Sequence, residues 1–194
     1  MNLRKLSLLL SLLLLAAAAH AQVGVYATAA VERLSNIAYT DPNSSSTSAH
    51  VDPIGGTAGV FYDFHSFGPI RLGADVRGSI LTTKRGAFTE ANGFGARIDS
   101  VLGGVRATIH TPKPYLRPYV QASAGLGRTN FGTQYALTNN FEYHGYVGLD
   151  ITVAPFMDFR IVELGAGGLM SSNPTSRNYP LNSISSGFVF HLPF

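Results

Sequence analysis

The chain contains no cysteine and no tryptophan, and only 13% of its 194 residues are charged. Without cysteine no disulfide can staple it, so an exported chain entering an oxidising compartment must hold itself together by another device, of which a closed barrel is one. After the first twenty-odd positions no apolar run approaches the roughly 20 residues a helix needs to cross a bilayer; if the chain spans a membrane, it does so with strands. No block of Lys and Arg marks a nucleic-acid surface. No Pro- or Ser-rich linker separates two apolar halves, which favours a single folded domain.

What is present begins with a targeting segment at residues 1–21. Arg4 and Lys5 supply its positive region, Leu6 to Ala19 an apolar run too short for a spanning helix, and Ala19-His20-Ala21 a small-residue cleavage pattern. Cleavage before Gln22 leaves residues 22–194 as the folded domain. Removing Arg4 and Lys5 takes the 14 basic residues to 12 against 11 acidic ones, so the basic balance of the whole chain says little about partners.

Residues 22–194 alternate apolar and polar with a period of two in eight places, which predicts eight strands. The expected strands are Val23 to Arg33, Gly56 to Phe64, one from Ile70 to Ile80, one reaching Ile109, Leu116 to Arg128, one from Phe141 to Ile151, one through Phe159 to Leu164, and Asn182 to Phe194. Ile70, Leu72, Ala74, Val76 and Ile80 alternate with Arg71, Gly73, Asp75, Arg77 and Ser79, so the charges share one face. The seventh strand slips out of phase, because Glu163 lands among apolar positions; a bulge near Val162 restores it, since one extra residue switches the facing of all that follow.

The connections alternate in length. Residues 35 to 55, 82 to 96, 129 to 140 and 171 to 180 are expected as long polar loops, while His65 to Pro69, Thr111 to Pro114 and Ala154 to Phe156 are short turns. A faint repeat runs beneath this pattern, with Gly59-Val60, Gly104-Val105 and Gly148-Leu149 at hairpin spacing. Outer-membrane barrels have an even strand number, short periplasmic turns and longer outer loops, whereas a soluble sandwich has no reason to alternate in this way. The expected fold is therefore all-β, an eight-stranded antiparallel up-and-down transmembrane barrel closed by its first and last strands.

Alternation alone does not say which face is outside, and a lipocalin-like barrel shows the same period inverted. Side-chain type decides for a polar interior. Asp63, Arg71, Asp75, Arg77, Arg106, Arg117, Glu142, His144, Asp150 and Arg160 fall on one face with many glycines, and the lumen of an eight-stranded barrel is just wide enough to be filled by such groups. Two ion pairs are expected near the short-turn end, Asp63 with Arg71 and Asp150 with Arg160. Tyr62, Phe64, Phe141 and Tyr143 are candidates for interfacial girdles.

The last strand ends as NSISSGFVFHLPF. Phe188, Phe190, Leu192 and Phe194 resemble the terminal signature of outer-membrane barrels, which the barrel-assembly machinery reads. The segment LRPYVQASAGLG from Leu116 to Gly127 is similar to the Pro-Tyr and Gly-x-Gly pattern of the OmpA-like and OmpX-like small barrels. That resemblance implies a monomer in the bacterial outer membrane with periplasmic termini, surrounded by lipid and presenting its loops to an unidentified extracellular ligand. A peptidoglycan-binding domain is not expected, so anchoring to the cell wall is not carried over.

Nothing in the spacing implies a cofactor or an enzyme. His65-Ser66 and His110-Thr111 sit in turns, and no His-Ser pair is accompanied by an acid as nucleophilic catalysis requires. His50 and Asp52 lie in a loop without the further ligands a metal needs. Two functions stand against each other, a structural or surface-interaction barrel and a narrow pore; a lipid-modifying outer-membrane enzyme, which barrels of this size include, is the weaker alternative.

Overall fold

The computed structural model describes residues 22–40, 47–83, 96–112, 115–131, 138–171 and 178–192. The targeting segment and Phe194 lie outside the described residues. The strands are β1 (Gln22–Thr40), β2 (Thr47–Val51), β3 (Ile54–Phe67), β4 (Ile70–Thr82), β5 (Ala96–Ile109), β6 (Leu116–Phe131), β7 (Thr138–Ala154), β8 (Met157–Ser171) and β9 (Tyr179–Leu192). From β3 to β9 each strand pairs antiparallel with the next, and β1 pairs with both β3 and β9. The sheet is thus a closed eight-stranded barrel, with β2 as an extra strand outside the ring.

Closure is extensive. β1 and β9 remain in register from Val23 opposite Leu192 to Leu34 opposite Leu181, which leaves neither strand with an unpaired edge. Gln22, Leu192 and the turns at 68–69 and 155–156 lie at one end of the barrel with Ile109 and Leu116; the strand ends Thr82, Ala96, Phe131, Thr138, Ser171 and Tyr179 lie at the other.

Residues 35 to 55 are not simply a loop. β1 continues to Thr40, and β2 pairs back on it with Leu34 opposite Val51 and Thr40 opposite Thr47. This hairpin stands on two apolar side chains, Leu34 and Val51, both buried inside the barrel mouth. Outside, Arg33 Nε lies 2.7 Å from Asp52 Oδ1. The turn-forming composition of this stretch hid a ladder whose anchors are at its base.

The phase slip in the seventh expected strand is a bulge. Leu149 opposes Val162 but Asp150 opposes Arg160, so Ile161 has no partner on β7; on β9, Arg160 opposes Gly187 and Glu163 opposes Ser185. Arg160 and Glu163 both point inward although three residues apart. A second bulge, at Phe64, sets Asp63 opposite Gly73 and His65 opposite Leu72.

The outward face is apolar along most of its height, with Arg33, Arg97, Asp99 and Arg128 standing on it towards the long-loop end. Val101, Val105 and Leu126 are more than 60% exposed, and Phe64, Phe141, Tyr143, Ile184, Phe188, Phe190 and Leu192 are also exposed. The inward face carries almost every buried charge.

Candidate functional site: a layered lumen

The inward side chains fill the barrel in layers. At the centre three arginines meet three carboxylates. Arg77 on β4 reaches Glu163 on β8 through Nη1 and Nη2 at 2.9 and 3.1 Å, and its Nε lies 3.2 Å from Asp75. Arg160 on β8 donates to Asp150 on β7 at 2.9 and 3.3 Å and to Glu163 at 3.2 Å. Arg106 on β5 donates to Asp150 at 2.9 Å. All six are buried, and their charges sum to zero. That balance matters because an unpaired charge at such depth costs several kcal/mol, by a rough estimate.

Neutral donors complete the layer. The Tyr119 hydroxyl donates to Glu163 at 2.5 Å, Tyr26 to Asp75 at 3.0 Å and Gln121 to Asp75 at 2.6 Å. Aromatic rings lie against the guanidinium planes, with Arg106 3.8 Å from the Tyr119 centroid and Arg77 4.0 Å from that of Tyr146. Glycines make this stacking possible. Tyr26 opposes Gly59 and Phe61 opposes Gly24 across the β1–β3 ladder, while Tyr119 opposes Gly148 and Tyr146 opposes Gly165. A Cβ on any of these glycines would collide with the facing ring. Two of the three repeated glycines, Gly59 and Gly148, therefore serve as floors for tyrosines.

Towards the short-turn end the charges form a smaller group. His191 Nε2 lies 2.7 Å from Asp158 Oδ2, and Arg117 Nη1 lies 3.3 Å from the same oxygen. Asp63 is buried here, with Arg106, Arg71, His191 and Arg117 as its charged neighbours. The bulge at Phe64 moves Arg71 opposite Ser66, and its charge acts on Asp63 from there. Asp150 and Arg160 do pair, at 2.9 Å. In the turn after β5, partial burial and the nearby Arg71 and Arg117 hold the His110 ring below its ordinary pKa of 6.5.

Towards the long-loop end the layer changes character. Glu32 on β1 and Glu142 and His144 on β7 converge: His144 Nε2 is 3.3 Å from Glu142 Oε1 and 3.8 Å from Glu32 Oε1. Ser100 on β5 donates to the other Glu142 oxygen at 2.5 Å. The His144 ring stacks on Tyr146 with centroids 5.1 Å apart. Above this group an apolar plug of Leu34, Val51, Leu81, Ile98, Leu169 and Leu181 closes the mouth, all of it buried.

The pattern of inward residues read from the sequence thus places Asp75, Arg77, Arg106, Asp150 and Arg160 in one network, Glu142 and His144 in a second, and Asp63 and Arg117 in a third, with Arg71 half-buried beside it. Glu163, the acceptor at the centre, was signalled only by the bulge. Glu32 carried the right parity but was the one charge on that face of its segment, and Asp158 shared its face with Arg160 without a visible partner across the lumen. Tyr26, Tyr119 and Tyr146 shared the polar face without any feature that marked them as buried partners. Of the terminal signature, Phe188, Phe190 and Leu192 face outward.

No protein-family model and no curated protein sequence matches the chain. Solved structures do. Neisserial surface protein A superimposes with a TM-score of 0.56 at 15% identity, covering 87% of this chain and 96% of that one. Ail, the attachment invasion locus protein of Yersinia pestis, gives 0.50 at 11% identity over 89% and 97%. At such identities the likeness lies in the path of the backbone. Strand number, closure and connectivity agree: the chain has the fold of the small eight-stranded outer-membrane β-barrels.

Proposed function

We propose that this protein is a monomeric integral barrel of a bacterial outer membrane that acts structurally and as a surface contact, and that it neither conducts nor catalyses. The filled lumen carries this reading. A balanced ion layer crosses the middle of the barrel, and a cluster of apolar side chains stoppers one end. A conducting path needs a wetted route between these layers. The outward apolar face suits lipid as its solvent, because hydrocarbon imposes no hydrogen-bonding demand that a closed ladder leaves unmet.

On this reading residues 1–21 are removed on export, and both termini and the short turns face the periplasm. Phe188, Phe190 and Leu192, with Phe194, are the residues the barrel-assembly machinery would recognise. The long connections then stand outside, where loops on a rigid scaffold carry recognition. The partners are membrane lipid and an extracellular ligand of unspecified chemistry, with no nucleic acid and no cofactor required for that role.

The test is electrical. Folded protein, identified by its altered gel mobility without boiling, is incorporated into planar bilayers. The expected result is no steady unitary current. A reproducible open level would overturn the reading in favour of a narrow pore. Recovery of the protein from the soluble periplasmic fraction, with no heat-dependent mobility shift, would overturn the membrane assignment itself.

A further inference from the structure

The layer beneath the apolar plug does not balance. Arg77, Arg106 and Arg160 are matched by Asp75, Asp150 and Glu163, and Asp63 and Asp158 have Arg71, Arg117 and His191 beside them. Glu32 and Glu142 have no arginine or lysine within ion-pair distance among the described residues; they face each other, His144 and the neutral Tyr146 hydroxyl. All three are buried. Glu32 Oε1 and both ring nitrogens of His144 lack a hydrogen-bond partner. Groups of this kind are satisfied almost everywhere else in proteins.

We propose that Glu32, Glu142 and His144 bind one divalent transition-metal ion of the zinc class. The ligand atoms of the three residues lie within 4.8 Å of one another. Two ligands at about 2.0 Å from a tetrahedral centre stand roughly 3.3 Å apart, which is the separation of His144 Nε2 and Glu142 Oε1. The Glu32 oxygen lies 3.8 Å from the same ring nitrogen, on the same side of the cluster.

Charge and chemistry select the occupant. Two carboxylates and a neutral imidazole around a doubly charged cation sum to zero, matching the neutrality of the central layer. An imidazole ligand suits zinc and its neighbours, whereas calcium takes six or more oxygens and magnesium keeps its waters. The surroundings supply the remaining parts. Ser100 holds the second oxygen of Glu142 at 2.5 Å, the outer hydrogen bond that orients a metal-binding carboxylate. One ring nitrogen of His144 faces the ion while the other carries the proton of the neutral ring. Beside Glu32, and lined also by Ser100, Tyr146, Arg77 and Glu163, lies a cavity of about 20 Å³ with room for a single water. With the apolar plug above and the arginine layer below, the ion would enter as the barrel closes.

The experiment uses untagged full-length mature protein, refolded from urea into detergent in metal-free buffer with either one equivalent of Zn²⁺ or a chelator. Folding is scored by gel mobility without boiling, and bound zinc by elemental analysis after desalting. The expected result is one retained equivalent of zinc and a higher thermal midpoint for the zinc-refolded sample. Co²⁺ in its place should give the visible absorption of a low-coordinate site. E32Q and H144A, if folded, should retain no metal; S100A, the milder variant, should bind about tenfold more weakly. Wild type that folds but retains no zinc, with the same midpoint in both buffers, would overturn the proposal. So would undiminished retention in folded E32Q, H144A or S100A, because the ion would then lie elsewhere, for instance at the exposed His50 and Asp52.

Discussion

Replacing Glu163 by glutamine keeps the shape of the side chain and removes one charge from the centre of the barrel. In the native layer that carboxylate accepts hydrogen bonds from Arg77, Arg160, Tyr119 and Ser185. Its loss leaves three arginines facing two carboxylates. At an effective dielectric near 20, each close pair contributes on the order of 4 kcal/mol of attraction. Relief from desolvating the carboxylate offsets part of this, and breaking one partner of a buried pair costs about 3–5 kcal/mol net. E163Q should therefore lose about 3–5 kcal/mol in urea unfolding from detergent micelles or phospholipid vesicles, read as the folded fraction on unboiled gels. R77M should lose a similar amount. The double variant R77M/E163Q restores a balance of two against two, so it should lose clearly less than the sum, with a coupling of about 2 kcal/mol. If E163Q unfolds within about 1 kcal/mol of wild type, or the two losses simply add, the lumen is hydrated enough to screen these charges and the balanced-layer argument fails.

Other perturbations test separate parts of the structure. Gly148→Ala drives a Cβ into the Tyr119 ring and should cost about 1–3 kcal/mol in the same unfolding assay; Gly103→Ala, which meets nothing within 4 Å, should stay within about 0.5 kcal/mol. Arg33→Ala removes an ion pair whose side chains are 55% and 38% exposed, so the unfolding midpoint should barely move, and any difference should fade in high salt. Asp52, whose carboxyl is held below its ordinary value by the Arg33 hydrogen bonds, should titrate closer to normal in that variant by NMR. The His110 ring should titrate below 6.5 by NMR, and Arg117→Met should raise its midpoint. Because the folded ring binds its proton less tightly than the unfolded one, that contribution to stability is lost as the pH falls through 6.5.

Strand positions and facings were legible because a barrel wall has one apolar side and one polar side, and a period of two records that division residue by residue. β4 shows this best: Asp75 and Arg77 are buried while Val76 and Ile80 stand out. The β1–β2 hairpin was not legible, since its ladder is fixed at its base by Leu34 and Val51, two residues that local composition does not connect. Contacts across the lumen were hidden for a related reason. Arg77 and Glu163 meet between β4 and β8, and period says which residues point inward without saying which will touch. Around Asp63 and Arg71 one inserted residue, Phe64, shifts the register where the turn begins, a change that the period of two did not show.

The seam between β1 and β9 bears on how the molecule comes into being. Within the ring, β1 has as one of its two neighbours β9, the last of the described strands. Until Tyr179–Leu192 exists, β1 has an open side and the curved sheet has two raw margins. No partial chain can form a sealed ring, so a truncated product retains the unpaired groups that hydrocarbon excludes. Acquisition of the native state is then a single late event, sensitive to changes near either end of the domain. A pairing across so many intervening residues is intrinsically slow to find. The interval before closure is when the chain depends most on whatever keeps its strands from neighbouring copies, and it is also the interval in which a small ion can still reach the interior.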